Sequence, residues 1–255
     1  MTDPEVLPKV AACLPPGWKE AARPQVECLY SVVSGRSGQK TRRFSLLYRA
    51  TQQVARSEDL GEVLAVLEED LKLHVAVSAP SRVFLHAGVV GWKGRAIVLP
   101  GRSCAGKSTL VDALVRAGAT YYSDEYAVLD DRGRVHPYAR PLRLRPRPGE
   151  SAAPPPRVPP ELRAGKRPLP VSLVAVTHYE PGARWAPKVL SPGQAVLALM
   201  ETAVPVRNRP EATLNALRAV VSRAPVVRGP RGEVEEAVER LLGLRAGRTD
   251  DVTQT

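Results

Sequence analysis

Aromatic residues are scarce in this chain. Three Trp, seven Tyr and two Phe make up 5% of its 255 residues, too few for the stacking platforms that grip single-stranded nucleic acid. Cysteine is scarcer still: Cys13, Cys28 and Cys104 are odd in number and far apart, which argues against a disulfide framework and against a zinc site. No apolar run reaches the ~20 residues a membrane span needs. The first residues, MTDPEVLPKVAACLPPGW, carry acids and prolines where a secretory signal has a basic segment and an apolar core. The expectation is a cytoplasmic chain with no membrane partner.

What is present fits a globular protein. Hydrophobic residues make up 44% and charged residues 25%, and this length accommodates one large domain or a domain with a small lobe. The net charge of +11 is concentrated, because residues 141 to 170 hold seven Lys or Arg against two Glu, together with ten of the 25 prolines. An acidic or phosphorylated ligand accounts for that surplus as well as nucleic acid does. With so few aromatics, a nucleic-acid partner is not expected.

Patterning along the chain implies two parts. Residues 1–78 read as an N-terminal β/α lobe that begins with a loose arm. Strands are expected at 25–33 and 42–50, and a helix at 59–77 with Leu60, Val63, Leu64, Leu67 and Leu71 on one stripe. Residues 79–243 read as an α/β domain. A strand hairpin through SRVFLHAGVV and RAIVLPG leads into a helix that stops at Gly118, followed by strand, acidic pair, strand, turn and strand. A buried strand is expected at 170–179. Two helices follow, starting near Ser191 and Asn208, then a short PVVRG strand and a last helix. Residues 146–169 are Pro- and Arg-rich and read as a mobile loop, either one that guides an acidic peptide or a plain solvated excursion; residues 244–255 read as a tail.

One motif names a chemistry. Gly101, Gly106, Lys107 and Ser108 satisfy G-x-x-x-x-G-K-[ST], between an apolar strand and an amphipathic helix. Backbone N–H groups of Gly101 through Thr109, with Arg102, Ser103, Cys104 and Ala105 between the glycines, would cradle phosphate oxygens at a helix N-terminus. Lys107 would neutralise the terminal phosphates of a nucleotide, and the Ser108 hydroxyl would hold Mg²⁺. Cys104 reads as a small tolerated side chain in the loop rather than a redox sensor. Asp124 and Glu125 come 17 and 18 residues after Lys107; paired acids there suit proton acceptance from a hydroxyl and Mg²⁺ ligation. LSPGQ at 190–194 imitates an ABC-transporter signature, and DDRG at 130–133 imitates a GTPase element. Ser191 reads better as a helix cap, and DDRG as a hairpin turn.

His86-Ala87-Gly88, the hairpin, the loop, the helix ending at Gly118 and Ser123-Asp124-Glu125 together resemble the catalytic domain of the HPr kinase/phosphorylase family, over about residues 80 to 145. The resemblance implies a P-loop nucleotide domain like that of phosphoenolpyruvate carboxykinase, a mixed sheet with flanking helices. It also implies Mg-ATP-dependent phosphorylation of a serine hydroxyl on a protein or peptide partner, and allows a homo-oligomer. Carried over, His86 lies near the transferring phosphoryl group, while Asp124 and Glu125 share base and metal roles. An arginine aimed at the phosphoryl group is expected, and Arg207 and Arg209 are the candidates, ahead of Arg143 and Arg145. Thr109 stands where the bacterial enzymes carry Glu, Glu125 replaces their second Asp, and HAG replaces HG. These departures resemble the shorter HPr-kinase-like proteins, including those of peptide-modification clusters, so a precursor peptide is one expected substrate. Two other readings remain at this point: a small-molecule kinase of the shikimate or gluconate type, and a nucleotide-binding regulatory module without catalysis.

Overall fold

Two units, Met1–Ser78 and Ala79–Thr255, make up the chain. The structure is a computed structural model that describes residues 4–23, 25–34, 44–101, 106–144, 155–156 and 162–243. In the first unit a 3₁₀ turn at Pro4–Val6 leads into α1 (Leu7–Cys13), followed by β1 (Tyr30–Ser34), β2 (Ser45–Arg49), β3 (Gln52–Ser57) and α2 (Leu60–Ser78). The three strands form one antiparallel sheet. Val32 and Leu47 join Val63 and Leu67 of α2 in a shared core. The expected loose arm is instead α1, anchored because Val6 and Cys13 are buried in that same core.

The second unit begins with a hairpin, β4 (Val83–Trp92) and β5 (Arg95–Pro100), turned at Lys93 and Gly94. Both turn residues have positive φ, 48° and 76°, the primed geometry that matches strand twist. Then follow α3 (Lys107–Arg116), β6 (Thr120–Ser123), β7 (Tyr126–Leu129), β8 (Arg134–His136), β9 (Leu169–Tyr179) and β10 (Lys188–Val189). Helix α4 (Pro192–Met200), a 3₁₀ turn at Val204–Val206, α5 (Pro210–Val221), β11 (Val226–Arg231) and α6 (Val234–Gly243) complete the unit.

The sheet order is β10-β11-β9-β5-β4-β7-β8, with β6 also on β4. Strands β5, β9 and β11 run parallel and the remaining pairings are antiparallel. The parallel strands are buried on both faces, which is why AIVLP and VSLVAV read as near-continuous apolar runs. One face packs against α4 and α5 through Leu85, Val98, Leu199 and Leu217; the other packs against α3 and α6 through Leu99, Leu110, Val227 and Leu241. The result is an α/β fold, a mixed sheet with flanking helices. Among the described residues, no helix is long and apolar enough to cross a membrane.

Described residues at both ends of the basic Pro-rich stretch are anchored. Leu142 and Leu162 are buried in the α3/α6 layer. Gly165 donates its N–H to the Tyr121 carbonyl at 2.7 Å, and the Tyr122 hydroxyl donates to the Arg167 carbonyl at 2.8 Å. Residues 145–154 and 157–161 lie outside the described residues, as does the expected tail at 244–255. DDRG is a hairpin turn between β7 and β8. Buried Asp130 accepts N–H groups of Arg132 at 3.0 Å and Arg134 at 2.9 Å, the Arg134 Nε–H at 2.8 Å, and faces His136 Nε2 at 3.1 Å. Burial by itself raises the Asp130 pKa, but the bonds from Arg134 and His136 outweigh it and hold the carboxyl at about 2, against an ordinary 3.8. Ser191 caps α4 in a reciprocal capping box with Gln194. Helix α5 starts from Arg209, not Asn208, and its side chain makes no cap bond; Pro210 supplies the preset first turn.

Candidate functional site

Strand β4 carries the candidate site, because the loop and the acid pair flank it. On one side Ala87 pairs with Pro100, the last residue of β5, and the Gly101 N–H donates to the His86 carbonyl at 3.2 Å. On the other side Val89 pairs with Ser123 and His86 with Tyr126. These pairs bracket Asp124 and Glu125, and the Ala87 N–H donates to the Glu125 carbonyl at 3.1 Å. Neighbouring strands lie about 4.8 Å apart, so the start of the loop and the acid pair stand about 10 Å apart across β4, with His86 between them. Residues more than twenty positions apart in sequence are thus joined by backbone register.

Each side chain follows from that frame. Alternation along β4 turns Leu85 and Ala87 toward the α4/α5 layer, and His86 toward the opposite face. Its neighbours in β4 are buried while His86 is exposed, with its ring centroid 4.9 Å from that of Tyr126. Two positions on, Gly88 lets α3 descend onto the sheet: a Cβ there would stand 2.5 Å from Val111 Cγ2. The glycine of HAG is therefore a packing requirement that sets the height of the helix and of Lys107 at its start. Lys107 is half-buried and donates from Nζ to the Gly101 carbonyl at 2.7 Å. Ser108 and Thr109 occupy the same first turn. Arg102, Ser103, Cys104 and Ala105 lie outside the described residues.

Asp124 and Glu125 are half-buried. Ser123 Oγ receives the N–H groups of Glu125 at 3.1 Å and Tyr126 at 2.9 Å, which fixes the backbone of the pair. The fully buried Tyr121 hydroxyl sits 2.8 Å from Asp124 Oδ1 and 3.0 Å from the Arg140 carbonyl. Burial first, then the nearby Asp124 charge, raise the phenol's pKa far above its ordinary range, so it remains a donor to the carboxylate. The residues that could offer oxygen donors to a divalent cation are Asp124, Glu125 and Ser108. Among the described residues, no three His, Cys, Asp or Glu side chains gather into an all-protein metal site. Mg²⁺ suits the smaller set, since it is usually held by one or two carboxylates together with substrate phosphates.

Of the candidate arginines, one has its guanidinium engaged. Arg209 donates to the carbonyls of Ala79, Pro80 and Arg82, where the chain enters β4. That duty ties α5 to the segment before β4 and occupies the guanidinium. Arg207 is exposed at the end of the 3₁₀ turn, and Arg143 is exposed beside buried Leu142. A different arginine meets the loop: Arg231, at the end of β11, donates from Nη2 to the Gly106 carbonyl at 3.1 Å. Its distance in sequence hid it. The available signal was an apolar strand, VVRGPR, closing on a basic residue at the sheet edge that the loop occupies. No protein-family model matches this chain, and no curated protein does either.

Proposed function

We propose that this protein is an ATP-dependent serine kinase of the HPr-kinase-like kind. It transfers the γ-phosphoryl group to a serine hydroxyl of a protein or peptide, a precursor peptide included. The observation that carries the reading is the register around His86, with the opening glycine of a G-x-x-x-x-G-K-S loop on one flank and Asp124-Glu125 on the other. A phosphate cradle and a proton acceptor about two strand spacings apart leave room for a phosphoryl group and an incoming hydroxyl between them.

In this reading the serine Oγ bonds to the γ-phosphorus as the bond to the β–γ bridging oxygen breaks. The hydroxyl proton passes to the Asp124 or Glu125 carboxylate, and ADP leaves. Lys107 and the N-terminus of α3 offset the phosphate charge. The His86 ring, exposed beside Gly101, contacts the transferring group. Ser108 and the carboxylate not acting as base would hold Mg²⁺, which when bound would neutralise charge on the phosphate oxygens. Tyr121 orients Asp124 and is a positioning residue.

The test is incubation of the full chain with γ-labelled ATP and a panel of serine peptides, acidic ones included. Label transfer by the wild type and loss of transfer in a Lys107→Ala, Asp124→Ala double variant are expected. Undiminished transfer by that variant removes the proposal. ADP formation driven by a metabolite, with no labelled peptide, would replace it with a small-molecule kinase. ATP binding with no turnover on any acceptor would leave a regulatory module.

A further inference from the structure

Arg231 is 3% exposed, and its place in the fold explains where its charge points. Strands β5, β9 and β11 are parallel, so their carboxyl ends share one edge of the sheet, the edge where open α/β sheets bind ligands. Gly101 follows β5 at that edge, Tyr179 closes β9, and Arg231 is its register partner on β11. Alternation puts Arg231 on the side of Val227, which faces α3 and α6. From there Nη2 reaches the Gly106 carbonyl at the N-terminus of α3. Gly106 has φ 73°, and a Cβ on it would collide with Nη2. The positive φ favours glycine at the motif's second invariant position, and a side chain there would displace the Arg231 guanidinium.

The guanidinium is under-satisfied. It has five N–H donors, yet among the described residues it makes, beyond Gly106, only a long 3.5 Å contact from Nη1 to the Gly232 carbonyl, and its buried Nε has no partner there. Among the described residues no carboxylate lies within salt-bridge distance of it. The carboxylate nearest in sequence, Glu233, accepts the Tyr179 hydroxyl at 2.9 Å instead. The Tyr179 ring lies 5.6 Å from Arg231 Cζ. The Glu233 charge acts on Arg231 from nearby without a direct ion pair among the described residues, and here the cation stands at a helix N-terminus that itself favours anions.

We propose that Arg231 is a ligand-binding residue at the start of α3, a guanidinium that joins Lys107 in gripping the polyphosphate tail of the nucleotide, whose oxygens bond the N–H donors left over. Neither the motif spacing nor the family resemblance points to this position. The inference rests on the nucleotide-binding part of the proposed function. The alternative is that Arg231 only braces the Gly106 carbonyl.

Calorimetric titration of the full chain with sodium tripolyphosphate and with MgATP separates these. Wild type, Arg231→Met and Arg231→Lys are compared, alongside unliganded melting temperatures. The expected result is an affinity loss of about tenfold to a hundredfold for both probes in Arg231→Met, the worth of a charge-assisted contact. Its unliganded melting temperature should be unchanged or higher, because a buried charge with no direct ion pair and an unpartnered Nε has been removed. Arg231→Lys should bind between the two. An Arg231→Met affinity within about twofold of wild type overturns the inference alone. So does a loss of affinity that tracks a fall in melting temperature across the two variants. Wild-type protein that binds neither probe overturns the nucleotide reading and this inference with it.

Discussion

Gly88→Ala probes the contact that holds the loop's helix against the sheet. The added Cβ would stand 2.5 Å from Val111 Cγ2 and 3.7 Å from Leu99 Cβ. Ordinary contact begins near 3.4 Å, so the Val111 pair must part by about 0.9 Å. Val111 is fully buried and Leu99 nearly so, which leaves α3 itself to move. Overpacking of this kind costs about 1–3 kcal/mol, and in a unit of this size that lowers the melting temperature by about 2–12 °C. Because Lys107 begins the same helix, ATP affinity should fall with stability. Val111→Ala removes the colliding methyl, and the Gly88→Ala, Val111→Ala double variant should recover much of both losses, a positive coupling in a double-mutant cycle. Differential scanning calorimetry with ATP titration reads both quantities. A Gly88→Ala protein that melts like wild type, or strict additivity with Val111→Ala, would refute close packing of α3 on β4.

Two further outcomes follow from the same geometry. The folded pKa of Asp130 is depressed to about 2 from 3.8, so its contribution is present above 3.8 and is lost as pH falls through about 2. That contribution is about 2 kcal/mol, and urea unfolding should show the wild-type advantage over Asp130→Asn shrinking by this amount between about pH 5 and pH 2; a pH-independent difference contradicts the turn's electrostatics. Tyr121→Phe deletes the hydroxyl beside Asp124 Oδ1. It should cost about 1 kcal/mol of stability and lower kcat about tenfold with the KM for ATP unchanged, and an unaltered kcat would deny Tyr121 its positioning role.

Much of the second unit was legible because its signals are local. The strand, loop and helix around Lys107 carry their own glycines and periodicity, and Ser191 with Gln194 announces a helix start within four residues. Elements held by distant partners were not legible. Strand β3, QQVARS, has one neighbour, β2, and a half-exposed pattern with no strong alternation. Helix α1 has seven residues and is fixed by Val6 and Cys13 against α2, which the linear chain does not reveal. Leu142 and Leu162 sit among prolines and arginines with no period to mark them, yet both are buried. At the site, the order His86, Lys107, Asp124 and the hairpin that sets His86 beside the strand feeding the loop could be read, but the pairing of β4 with β6 and β7 could not. Arg231 meets Gly106 across 125 residues, a contact that only the parallel order β5-β9-β11 creates.

The most direct test of the central claim is the ratio of phosphoserine formed to ADP released, measured by mass spectrometry and coupled assay on one reaction with a serine peptide. Transfer between a cradle at Lys107 and a base at Asp124-Glu125 requires one ADP per phosphoserine in the wild type and neither product in Lys107→Ala. ADP accumulating with free phosphate and no phosphoserine on any acceptor would contradict it.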